Sequence, residues 1–320
     1  MEEYFTKLIT SNNDITVNVN VTINCKCCKE PEPIPQEKAR TLYVWNGDMT
    51  RRYDWYSLLQ NVNNLHDTLI NFCIEHGFTK VIIFNGTIEW DYAIYNSGVI
   101  NYETNCKDLF TKLNNKGIKV ALGWYLNDSV NNLNNWEKAT SILDAVKNFN
   151  IKYPEARIQS IHGDQEPYKP ELYEDYLNMN SLLKNHSKEI NSGIKIGASI
   201  KPGWFSDYKG KLMIDHVVET LDFGMIMAYS YIISDMKEYG NQALARGIPM
   251  EIAVEVDPRQ DLIDQNISFG QFIKNNPQAF KDLLDECDQE WSTKSNYLGM
   301  VVHSFSHYFG LLNGHQPVDN

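Results

Sequence analysis

The sequence predicts an α/β protein, a single (β/α)₈ or TIM barrel preceded by an extended N-terminal arm that carries one β-strand. From Thr41 onward, short apolar runs alternate with amphipathic stretches, the pattern of a parallel sheet wrapped by helices. Eight apolar runs qualify as strands, which is the barrel number: Leu42 to Asn46, Lys80 to Asn85, Lys119 to Tyr125, Ile158 to Asp164, Lys195 to Ile200, Phe223 to Tyr229, Met250 to Val256 and Leu298 to Ser304. The chain of 320 residues is also long enough, since such barrels take roughly 250 residues as one unit.

Residues 1–40 form the arm and residues 41–320 the barrel domain. In the arm, Ile15 to Ile23 alternates strictly between β-branched and polar residues, the period of a strand with one apolar face. It is followed by Cys25, Cys27 and Cys28, and then by the Pro-rich run Glu30 to Pro35, a semi-rigid spacer. Two roles remain open for this strand. It lies on its own barrel or hangs as a tail, or it adds to a neighbouring copy and makes a homo-oligomer that self-assembles through residues 1–40, with the cysteines cross-linking the contact.

Between the strands, helices are expected at Trp55 to His76, Cys106 to Asn115, Trp136 to Phe149, Glu171 to Lys188, Leu212 to Thr220, Ser234 to Arg246, Gln271 to Trp291 and, more briefly, Tyr308 to Asn313. In the first of them Leu58, Leu59, Val62, Leu65, Leu69 and Phe72 recur at three- and four-residue spacing, so one stripe can be buried against the strands. Cys73, Cys106 and Cys287 fall in such apolar patterns and read as buried thiols.

A net charge of -12 argues against nucleic acid or an anionic membrane surface as the principal partner, because both demand clustered Lys and Arg. No apolar run is long enough to span a bilayer. The first ten residues lack a basic segment followed by an apolar one, so synthesis in the cytoplasm without a secretory signal is expected. Non-classical release, or association with a surface or spore, would be the ways out. No Gly-rich phosphate loop, serine elbow or His-Glu-x-x-His motif is present, and no cofactor or metal is called for.

Barrel enzymes carry their chemistry at the carboxyl ends of the strands. The fourth run ends in Ser160, His162, Asp164 and Glu166, which alternation puts on one face, pointing into the mouth. A carboxylate at Asp164 disfavours ionisation of Glu166 and raises its pKa toward neutrality, as a general acid requires. The plainer reading of the same groups is a strand-end ion network. Around them Trp45, Asn46, Asp48, Asn85, Trp90, Trp124, Tyr125, Lys201 and Trp204 fall at or just after other strand ends, and recurring aromatics suit a carbohydrate groove.

His162, Asp164 and Glu166 resemble the last three positions of the Asp-x-x-Asp-x-Asp-x-Glu strand of glycoside hydrolase family 18, the chitinases and endo-N-acetylglucosaminidases. Gln159 and His162 stand where that family has its first two aspartates. In the sixth run, Met227 and Tyr229 match the family's Met-x-Tyr-Asp strand, with Ser230 replacing the aspartate. The resemblance implies substrate-assisted retaining hydrolysis of an N-acetylhexosamine-containing glycan, chitin- or peptidoglycan-like. Glu166 would protonate the leaving oxygen, Asp164 would hold the acetamide that attacks the anomeric carbon, and Tyr229 would donate a hydrogen bond to it. His162 and Met227 would line the sugar site, and Phe305 stands near the place of the family's stacking tryptophan. A protonated His162 would pair with Asp164 and hold it ionised, altering or abolishing activity.

Two other readings stay open. Gln165-Glu166-Pro167 is similar to the Asn-Glu-Pro of clan A glycosidases, whose nucleophilic glutamate ends the seventh strand; alternation sends Glu255 into the lumen there. The second is a catalytically degenerate barrel that binds sugar or serves as a structural module assembled through the arm.

Overall fold

A computed structural model describes residues 38–45, 54–87, 95–96, 99–100, 102–126 and 132–315. The strand expected at Ile15 to Ile23, the cysteines at 25, 27 and 28, and Asn46, Asp48 and Trp90 lie outside the described residues.

Eight parallel strands close into a barrel: β1 (Thr41–Val44), β2 (Lys80–Thr87), β3 (Lys119–Tyr125), β4 (Ile158–Gly163), β5 (Lys195–Ile200), β6 (Phe223–Met227), β7 (Met250–Glu255) and β8 (Tyr297–His303). Each strand pairs with the next in sequence, and β8 returns to β1 with Thr41 opposite Val301. Helices α1 (Leu65–Glu75), α2 (Glu103–Asn115), α3 (Thr140–Lys152), α4 (Tyr173–Glu189), α5 (Met213–Glu219), α6 (Ile233–Leu244), α7 (Pro277–Glu290) and α8 (Phe305–Asn313) alternate with the strands. No helix among the described residues is long and apolar enough to cross a membrane.

Two cores follow from the two faces of each strand. Val81, Ile83, Val120, Leu122, Ile252 and Val254 point outward into one large layer shared with the helices, which also buries Cys73, Cys106 and Cys287. Tyr43, Ile82, Phe84, Ala121, Met225, Ala253 and Val301 fill the lumen. Each buried Val, Leu, Ile, Phe or Met among them contributes about 1.5–3 kcal/mol. Lysine and glutamate at the base are buried as a pair: Lys80 Nζ lies 2.9 Å from Glu251 Oε1, which also accepts from the Thr41 hydroxyl at 2.8 Å.

Gly197 is required by its neighbour. A Cβ there would sit 2.1 Å from the Phe223 ring, which plugs the lumen beside it. Gly197→Ala is therefore expected to destabilise the barrel by about 3 kcal/mol, the upper range for overpacking. Denaturant unfolding of Gly197→Ala and of Gly197→Ala/Phe223→Leu checks this; the double variant should recover most of the loss.

Two expected helices are broken. Trp55 to His76 divides into Asp54–Leu59, a short 3₁₀ turn and α1, because Asn61, Asn63 and Asn64 take positive φ, a conformation asparagine tolerates better than most residues. Gln271 to Trp291 divides into Gly270–Asn275 and α7, where the Asn276 side chain accepts from Ala279 N at 3.1 Å and Pro277 takes the first helical position. Ala39 and Arg40, assigned by sequence to the arm, are tied to the barrel: Ala39 N donates to Leu298 O at 2.7 Å and Arg40 pairs with Asp285 and Asp288.

Candidate active site

Parallel pairing carries β4 one residue past its end, because Asp164 N donates to Trp124 O at 2.7 Å. The next side chain, Gln165, is fully buried and fastens the loop after β3: its Oε1 accepts from Leu126 N at 2.8 Å and its Nε2 donates to Asn132 O at 3.0 Å. Pro167 then fixes its own φ. Glu166 is held between these anchors with a side chain only 18% exposed, desolvated but reachable from the mouth.

On the lumen side, a short polar chain runs from β4 to β5. His162 Nε2 lies 3.1 Å from Ser199 Oγ, and that hydroxyl donates to Asp164 Oδ1 at 2.7 Å. With Asp164 ionised, the hydroxyl's one proton goes to the carboxylate, so Nε2 carries the imidazole proton and donates to Ser199. Lys201, just past β5, donates from Nζ to Glu166 O at 3.1 Å and stands 3.7 Å from Glu166 Oε2. The same ammonium lies 3.2 Å from the centre of the Tyr168 ring.

Burial raises both carboxylates. Asp164 is pushed up to about 7, by burial and then by the charge of Glu166, against the Ser199 hydrogen bond and the charges of His303 and Lys201. Burial likewise lifts Glu166 above its ordinary range, against the pull of Lys201. His162 is driven down to about 3 by burial and by Lys80, so it is neutral. This corrects the expectation of a protonated His162 paired with Asp164: the two are linked through Ser199 instead.

A second cluster closes β7 against β8, where the register sets Glu255 opposite His303. Glu255 Oε2 accepts from His303 Nδ1 at 2.7 Å, and Oε1 accepts from Val256 N and Asp257 N, each at 2.8 Å. Burial opposes the charge on Glu255, but His303 and the backbone donors outweigh it and hold its pKa below the usual value. His303 is raised in turn: burial opposes its charge, and Glu255, Asp164 and Asp257 overcome that. Each partner favours the charged form of the other, and the charge of Asp164 acts on His303 in the same direction.

The expected aromatic lining divides by strand parity. Trp45 points into the mouth, with its ring 3.9 Å from Phe84, 6.5 Å from Tyr125 and 5.6 Å from His303. Tyr229 reaches the same space, 6.1 Å from His303, and Met227 is buried one step deeper on the same face of its strand. Three expected site residues are corrected. Trp124 lies on the outward face of β3 and is buried in the outer layer beneath Gly163; its neighbour Tyr125 takes the inward place. Trp204 is buried behind Tyr173 and Tyr176 of α4, and Phe305 opens α8 and packs on Phe72 of α1. Neither offers a ring face to the mouth.

Ser199 and His303 are the site residues that sequence reasoning missed. Ser199 shares the parity of Lys201, a signal that was present; the partner of His303 depends on the β7–β8 register. Exposed Tyr168, after β4, and Tyr231 and Ile232, after β6, add apolar surface beyond two strand ends. Among the described residues, no three His, Cys, Asp or Glu side chains are gathered to hold a metal ion.

No protein-family model matches the chain, and no curated protein matches it in sequence. Solved structures match it in fold. A GH113 β-1,4-mannanase aligns over 86% of this chain and 90% of its own at 10% identity, with a TM-score of 0.51. The Bacillus cereus spore cortex-lytic enzyme SleL aligns over 91% of this chain and 78% of its own at 12% identity, with a TM-score of 0.50. A chitinase from Chromobacterium violaceum aligns over 88% and 99% at 12% identity, with a TM-score of 0.48. At such identities the likeness is one of fold: the chain shares the (β/α)₈ barrel architecture of the mannanase and of the spore cortex-lytic enzyme.

Proposed function

We propose that this protein hydrolyses an N-acetylhexosamine-containing glycan, chitin- or peptidoglycan-like, with Glu166 as the general acid. The observation that carries the reading is the pair Asp164 and Glu166: two carboxylates at the end of β4, both raised, the first anchored by Ser199 and the second accessible from the mouth. Two carboxylates that disfavour each other's ionisation tend to keep one proton between them, which supplies an acid and a base at one strand end.

In the first step Glu166 gives its proton to the glycosidic oxygen as the bond to the anomeric carbon breaks, and the substrate's acetamide oxygen bonds to that carbon. Asp164 accepts the acetamide N–H, and the Tyr229 hydroxyl donates to the acetamide oxygen. In the second step Glu166 takes a proton from water, which attacks the same carbon and restores the acetamide. Trp45 and Tyr125 offer ring faces for the sugar.

The clan A alternative is disfavoured by Glu255, whose two oxygens are taken up by His303 and two backbone donors. The reading as a sugar-binding module without activity is favoured by one feature, the Lys201 ammonium beside Glu166, which favours its ionised form. Incubation of the purified full-length chain with chitooligosaccharides, peptidoglycan and de-N-acetylated chitooligosaccharides separates these. The proposal expects products only from the acetylated substrates. Binding without any product would support the module, and cleavage of the de-N-acetylated oligomers would refute substrate assistance.

A further inference from the structure

At the base of the barrel, on the side away from the mouth, lies a cavity of about 580 Å³. Its cations come from the beginnings of four consecutive strands: Lys80 opens β2, Lys119 opens β3, Arg157 immediately precedes β4 and Lys195 opens β5. Two carboxylates line the same cavity, and both are engaged. Glu251 holds Lys80 and Thr41, and Asp222 accepts from Ile196 N at 2.9 Å. Among the described residues, the side chains that line this pocket carry more positive than negative charge, in a chain whose net charge is -12. Arg157 and Lys195 stand exposed at its rim, where their charges are free to move onto a ligand, and the Phe223 ring gives it an apolar wall.

We propose that this basal pocket binds a small, multiply charged oxyanion, one that carries two or more phosphate or carboxylate groups on a compact skeleton. The volume is that of a small-molecule site. Charges from four adjacent strands converge on one space, whereas a polymeric anion would need a stripe of cations across the surface. The pocket is separate from Glu166 and stands whether or not the mouth hydrolyses glycans.

Isothermal titration of the full-length chain with pyrophosphate and, separately, with citrate tests this at low and at physiological ionic strength. One-to-one saturable binding that weakens with salt is expected for at least one of them, and which one binds identifies the phosphate or the carboxylate source. Arg157→Gln/Lys195→Gln should weaken it about tenfold, whereas Lys274→Gln, which removes a cation elsewhere, leaves it unchanged. Thermal unfolding confirms that the variants are folded, as their exposed positions predict. Absence of saturable binding for both probes overturns the proposal, and so does binding that the double variant leaves intact.

Discussion

Glu166→Gln is expected to lower the rate of glycan hydrolysis by about a thousandfold while leaving sugar affinity nearly unchanged. A positioned general acid contributes roughly 10²–10⁴ in rate, and the amide cannot supply the proton. Its shape is preserved, and Lys201 still donates to the residue's backbone carbonyl, so the loop should keep its place. Aryl glycosides with acidic leaving groups need less protonation, so the variant should retain more activity on them than on natural linkages. Single-turnover rates on both substrate types measure this contrast. Equal losses on the two would assign Glu166 a role other than proton donation to the leaving group.

His303→Leu should destabilise the fold by about 3–5 kcal/mol, because it leaves Glu255 as a buried carboxylate without its cation. The pH dependence has a defined sign. Glu255 is held below its ordinary value of 4.5, so its contribution is present above that pH and is lost as pH falls through the folded value. His303 is raised above 6.5, so its contribution is present below that pH and is lost as pH rises through the folded value. The stability gap between wild type and variant should therefore be widest between those two values. Denaturant melts of His303→Leu, Glu255→Gln and the double variant across that range measure the coupling; a strictly additive double variant would show that the pair is not coupled.

The barrel was legible because strand alternation is a short-range property: each of the eight runs carries its own inward and outward faces. The inward placement of Asp164, Glu166, Tyr229 and Glu255 follows from the same rule. Trp124 was misplaced by reading strand position instead of parity, although Ala121, Gly123 and Tyr125 mark the inward face of β3. Trp204 and Phe305 lie past their strands, where a turn and a helix start reset the direction of the side chain and no period applies. The state of His162 was beyond the sequence. Its neutrality comes from complete burial above Lys80, and its link to Asp164 runs through a serine on the next strand. The Glu255–His303 pair likewise joins residues far apart in the chain, and only the register of β7 on β8 brings them face to face. In the outer layer, the asparagines at 61, 63 and 64 break a helix whose apolar period is intact, since left-handed backbone leaves no trace in hydrophobic spacing.

The most direct test of the Asp164–Glu166 mechanism is the anomeric configuration of the first product, followed by proton NMR while a β-linked chitooligosaccharide is cleaved. Attack by the substrate's own acetamide followed by water gives two inversions, so the β-anomer should appear first and convert slowly to the equilibrium mixture. Initial release of the α-anomer, or the absence of any cleavage, would contradict the account.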